Sequence, residues 1–91
     1  MSIEKQKNRV SPSDTDKEQI CTLELFNDDY HSFDYVIESL IEICELDSIQ
    51  AIQCTYLVHY KGKCDVKRGS KPYLLPMRRA LSKRDLRAII K

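Results

Sequence analysis

A small α+β domain, with the order β-α-α-β-α-β and a three-stranded sheet carrying its helices packed on one face, is predicted by three observations. Cys21 to Phe26 alternates polar Thr22 and Glu24 with apolar Cys21, Leu23 and Leu25, the pattern of a half-buried strand. Two runs of helical period follow, each behind its own capping residue. The remainder offers two short alternating segments on either side of a third helical run. The chain has 91 residues, enough for one small domain.

Ser32 is placed to cap a first helix, in which Phe33, Val36, Ile37, Leu40, Ile41 and Cys44 recur at helical spacing opposite Glu38, Glu42 and Glu45. Asp47 with Gln50 three residues on has the form of a capping box and opens a second helix. Its apolar face is expected to use Ala51, Ile52, Leu57 and Tyr56, and Gly62 supplies the stop. Lys63 to Arg68 reads as a strand, with Cys64 and Val66 alternating against charged neighbours, and Gly69-Ser70 turns the chain. A third helix is expected from Tyr73 to Lys83, kinked or delayed by Pro76. Leu86, Ala88 and Ile90 then alternate in a closing strand. Residues 1–19 are polar and are expected to form a flexible N-terminal extension, leaving 20–91 as the core.

Composition narrows the function. Hydrophobic residues are 42% and charged residues 32%, ordinary for a globular chain. No segment has the length and apolarity of a signal peptide or membrane span, so a cytoplasmic protein is expected. The net charge of +1 hides a division: residues 20–60 hold eight acids and no Lys or Arg, whereas 61–91 hold eleven bases against Asp65 and Asp85. The acidic block suits a cationic ligand and the basic block an acidic surface or nucleic acid, unless the two pair internally. Cys21, Cys44, Cys54 and Cys64 form no C-x-x-C pair and their wide spacing fits neither a zinc knuckle nor a redox pair, which points to reduced thiols and to no metal site or cofactor.

Two short segments carry the chemistry. Asn27-Asp28-Asp29-Tyr30 is a turn directly after the first strand, and His59 stands near the end of the second helix, in His59-Tyr60-Lys61-Gly62-Lys63. Brought together, Asn27, Asp28 and His59 make a compact set of acceptors, which is what an ammonium group with three donors requires. For each there is a plainer reading: Asn27 as a turn cap, His59 as a helix-end cation, Asp29 bonding its own turn. Tyr30 and Tyr60 are expected to be packing residues with solvated hydroxyls.

Leu25-Phe26-Asn27-Asp28-Asp29-Tyr30 and Val58-His59-Tyr60-Lys61-Gly62-Lys63 together resemble the two motifs of the ClpS family, adaptors that deliver N-end-rule substrates to a Clp protease. The resemblance extends over residues 20–68 and more loosely over 69–91. It implies the same element order and a protein that is not an enzyme. Asn27 and Asp28 would receive the α-amino group of the substrate, with His59 completing the set and Asp29 in support. It also implies a pocket for a first side chain of Leu, Phe, Tyr or Trp, formed by His31, Phe33, Val36, Thr55 and Val58. The partner implied is the N-terminal domain of a ClpA- or ClpC-type unfoldase coupled to ClpP, engaged in part by the N-terminal extension. The chain departs from the common pattern where Thr55 and Phe33 replace methionines and His31-Ser32 replaces threonine-proline, so one pocket wall recedes while another fills.

Histidine side chains ordinarily titrate near 6.5 and α-amines near 7.7–8.0, so amine capture by a neutral imidazole should weaken below pH ~6 and above pH ~8.5. Two other readings stay open. One is a small nucleic-acid-binding module using the basic residues of 61–91, against which stands the lack of interleaved aromatics and Gly-rich loops. The other makes Asp28, Asp29 and His59 an acid/base site of a small hydrolase, without an accompanying nucleophile or phosphate loop.

Overall fold

The computed structural model describes residues 19–27 and 30–91. The expected N-terminal extension lies outside the described residues except for Gln19, as do Asp28 and Asp29. The elements are β1 (Cys21–Phe26), α1 (Phe33–Cys44), α2 (Ser48–Lys61), β2 (Lys63–Gly69), α3 (Lys71–Lys83) and β3 (Ala88–Ile90). β1 is the central strand, antiparallel to β2 on one side and β3 on the other.

Leu23 and Leu25 of β1 are fully buried and meet Val36, Leu40 and Cys44 of α1, Ala51 and Val58 of α2, and Leu74 and Leu81 of α3 in one core. The β1–β2 register slips between Leu23, which faces Lys67, and Glu24, which faces Asp65, so Val66 is an extra residue on β2. Such a bulge bends the strand and sharpens its twist. Glu24 is also buried, 3% exposed, where Lys91 Nζ donates to its Oε2 at 3.1 Å and Lys63 stands at 3.6 Å. Burial alone would raise the Glu24 carboxyl, but the Lys91 hydrogen bond and the Lys63 and Lys91 charges outweigh it and hold the group below its ordinary value.

The expected caps form. Ser32 Oγ accepts from Tyr35 N–H at 3.1 Å, and Asp47 Oδ1 accepts from Gln50 N–H at 2.8 Å. α1 ends on Glu45 at φ 59°, and only Glu45, Leu46 and Asp47 link it to α2, with Leu46 turned into the core. Gly62 closes α2 at φ +94°, its N–H on Val58 O.

The burial of α2 differs from expectation. Ala51, Thr55 and Val58 are buried, whereas Ile52, Tyr56 and Leu57 are 41, 50 and 40% exposed. The buried residues form a narrow i, i+4, i+7 stripe, and each of the other three lies about 100° round the helix from a member of it. Ile41 of α1, 37% exposed, stands at the edge of its helix face for the same reason, and Ser39 is buried instead. Ser39 Oγ donates to Tyr35 O and accepts from Arg84 Nη1, while Tyr35 O–H donates to Arg84 O, which ties α1 to the end of α3.

α3 begins at Lys71, two residues before the expected start, because Ser70 acts as its cap and Pro72 sits in the first turn, where no N–H is needed. Pro76 therefore does not delay the helix, which runs through it to Lys83. Leu86 precedes β3 rather than joining it; its N–H bonds Leu81 O around Asp85 at φ 64°, and its side chain is buried. The acidic and basic blocks pair in part, through Glu24 with Lys63 and Lys91 and Glu42 with Arg84 at 2.6 Å.

Candidate functional site

The end of β1, the start of α1 and the end of α2 converge at one corner. Asn27 leaves the strand with its N–H donating to Gly62 O at 2.8 Å, and the Gly62 N–H returns to Val58 O. That pair of bonds brings the residue after β1 to the helix end that carries His59. The capping glycine is thus the joint between the two motifs.

His59 is half-buried and oriented. Its Nδ1 lies 2.9 Å from the Thr55 carbonyl oxygen. A carbonyl only accepts, so in the neutral ring Nδ1 carries the hydrogen and Nε2 keeps its lone pair. The Phe33 ring lies against the imidazole with centroids 4.2 Å apart, tilted by 37°. Phe33 also meets the Tyr56 ring edge-on at 5.2 Å, and Tyr56 stacks on Tyr60 at 5.6 Å.

Behind this aromatic layer Val36, Thr55 and Val58 are at most 1% exposed. Thr55 directs its hydroxyl at Ala51 O, 2.8 Å away on its own helix. The polar group introduced by threonine is therefore satisfied locally. His31 is half-buried and stacks on Tyr35 at 4.5 Å, with Tyr30 edge-on to it at 5.0 Å.

Of the residues expected from sequence, the fold thus gathers Phe33, His59, Thr55, Val58 and Val36 at one α1–α2 seam, with Asn27 joined to that seam through Gly62. His31 stands on the neighbouring turn. Tyr30 and Tyr60, expected to pack, are 87 and 74% exposed and make ring contacts at the surface. Two contributors were missed. Tyr56 was assigned to the apolar face of α2, although its spacing from Tyr60 marks an exposed aromatic pair. Tyr35, which braces His31, had no signal beyond lying four residues after it. Among the described residues no group of three or more His, Cys, Asp or Glu side chains is placed to hold a metal ion, and no helix is long and apolar enough to cross a membrane.

Residues 16–85 match the family of the ATP-dependent Clp protease adaptor protein ClpS. The chain belongs to the ClpS family. Among solved structures it resembles Agrobacterium tumefaciens ClpS2 bound to L-phenylalaninamide, with a TM-score of 0.72 and 17% identity over 79% of this chain and 94% of that one. At that identity the likeness speaks for the fold: a ClpS-type arrangement of three helices on a three-stranded antiparallel sheet. As a ClpS-family chain, the protein is a Clp protease adaptor by class, and its two motifs meet at one corner of that fold.

Proposed function

We propose that this protein binds the free α-amino group and bulky first side chain of N-degron substrates and delivers them to a ClpA- or ClpC-type unfoldase working with ClpP. The observation that carries the reading is the seam itself: His59, held by Thr55 O with Nε2 left as an acceptor, beside the point where Asn27 is fastened to Gly62. Asn27, Asp28 and His59 take the ammonium group, and Asp29 supports the turn. The first side chain enters at Phe33 and His31, over a floor of Val36, Thr55 and Val58. Because that floor is closed in the structure, entry of Leu, Phe, Tyr or Trp requires the Phe33 ring to swing off His59. The ClpS2 structure with an amino-acid amide supports ligand chemistry of this kind in a protein of the same fold. Residues 1–19 serve delivery rather than recognition, and the protein acts by binding and not by catalysis.

The test is fluorescence anisotropy with four peptides that differ only at the N-terminus: free-amine Leu, free-amine Phe, acetylated Leu and free-amine Ala. Binding of the first two alone is expected. Equal binding of all four would remove both the amine site and the pocket.

A further inference from the structure

The fold brings together two cysteines that are ten positions apart. Cys54, half-buried in the second turn of α2, and Cys64, near the start of β2, place their Sγ atoms 2.9 Å apart. Both sulfurs face the Asp65 carbonyl oxygen, at 3.9 and 3.5 Å. A disulfide bond measures about 2.03–2.05 Å, so the sulfurs have to close by only about 0.9 Å. A cavity of about 220 Å³ opens over them, lined also by Gln50, Gln53, Leu57 and Val66. A small oxidant fits there, since a water occupies about 30 Å³.

The two partners differ in role. The hydrogen bond from the Cys64 thiol lowers the Cys54 pKa against the opposing effect of burial, and the same bond raises that of Cys64. The thiolate is the reactive form, so Cys54 is the attacking sulfur and Cys64 the one that resolves. Cys44 is fully buried and pushed up to about 11, which keeps it an inert thiol.

We propose that Cys54 and Cys64 are a reversible oxidation site, forming a disulfide on reaction with hydrogen peroxide. The Cys54 thiolate attacks one peroxide oxygen; the O–O bond breaks, and the departing hydroxide takes a proton to become water. Cys54 is left as a sulfenic acid. The Cys64 sulfur then attacks Cys54 Sγ, its thiol proton going to the leaving oxygen, and a second water departs as the S–S bond forms. Two thiols and one peroxide give one disulfide and two waters, and a dithiol reductant reverses the change.

The experiment treats the full chain with hydrogen peroxide at neutral pH, blocks remaining thiols with iodoacetamide and maps by mass the peptides released by trypsin together with a glutamate-specific protease. Trypsin cuts after Lys61 and Lys63 and the second protease after Glu24, Glu42 and Glu45, so the four cysteines fall on separate peptides and the disulfide joins two that otherwise separate. The expected result is a loss of two hydrogens, a linked Cys54–Cys64 peptide pair and full recovery with dithiothreitol. In Cys64→Ser, dimedone should trap a sulfenic acid at Cys54 at least about tenfold faster than at Cys44. Full alkylation of both cysteines after peroxide would overturn the proposal, as would a disulfide that includes Cys21. The wild-type map decides this even if the serine variant fails to fold.

Discussion

Gly62→Ala isolates the joint between the two motifs. Gly62 sits at φ +94°, and a Cβ built there meets nothing within 4 Å, so the substitution introduces backbone strain and no collision. An L-residue held in left-handed backbone costs about 1–2 kcal/mol. In a domain of this size that lowers the melting temperature by about 4–16 °C. Asn tolerates positive φ better than Ala, so Gly62→Asn should lose about half as much. Urea unfolding followed by far-ultraviolet circular dichroism measures all three proteins, and an unchanged slope with denaturant shows that the midpoint shift is a change in stability and not in the surface exposed on unfolding. Two results refute the reasoning. Alanine within about 0.3 kcal/mol of the parent would mean that the cap relaxes freely and does not fix Asn27 against α2. A loss above about 4 kcal/mol would mean a collision where the structure has open space.

His59→Ala removes the acceptor at the end of α2 and should weaken binding of a free-amine Leu peptide about 10- to 150-fold, from a charge-assisted bond worth about 1.5–3 kcal/mol; unchanged anisotropy titrations would exclude its role. Because the Glu24 carboxyl is lowered in the folded state, its contribution is fully present above its ordinary value of 4.5 and is lost as pH falls through the folded value. Glu24→Gln should therefore flatten the fall of stability below pH 4.5, as read from urea midpoints. Cys44 is raised from 9.0 to about 11, so the unfolded chain gives up that proton first and stability falls as pH rises through this window. The fall is about 2–3 kcal/mol, and thermal melts of Cys44→Ala should lack it.

Features set by near neighbours were legible in the chain. Ser32, Asp47 and Gly62 act on backbone groups within four residues, so their caps could be read directly, and the strand-helix order follows from them. What failed was the choice among competing apolar residues. On α2, Ile52, Tyr56 and Leu57 are more hydrophobic than Ala51 and Thr55, yet the latter are buried, because closeness to α1 and the sheet favours small and β-branched side chains there. The start of α3 moved because Ser70 was read as a turn residue when its hydroxyl caps a helix. The candidate site was legible as two motifs, and their joint through Gly62 O was not, because it depends on where β1 ends against α2. The Cys54–Cys64 contact was hidden for the same kind of reason. It depends on how α2 lies on β2, which spacing along the chain does not encode.

The link of Glu45, Leu46 and Asp47 makes α1 and α2 the two arms of a caliper. With 12 and 14 residues, the arms are about 18 and 21 Å long at 1.5 Å per residue. Phe33 stands at the tip of one arm and His59 in the last turn of the other. A rotation of about 5° at the pivot moves the tips by nearly 2 Å, on the order of the room a methyl group needs. Leu46, buried at the pivot, therefore helps to set how far apart Phe33 and His59 stand.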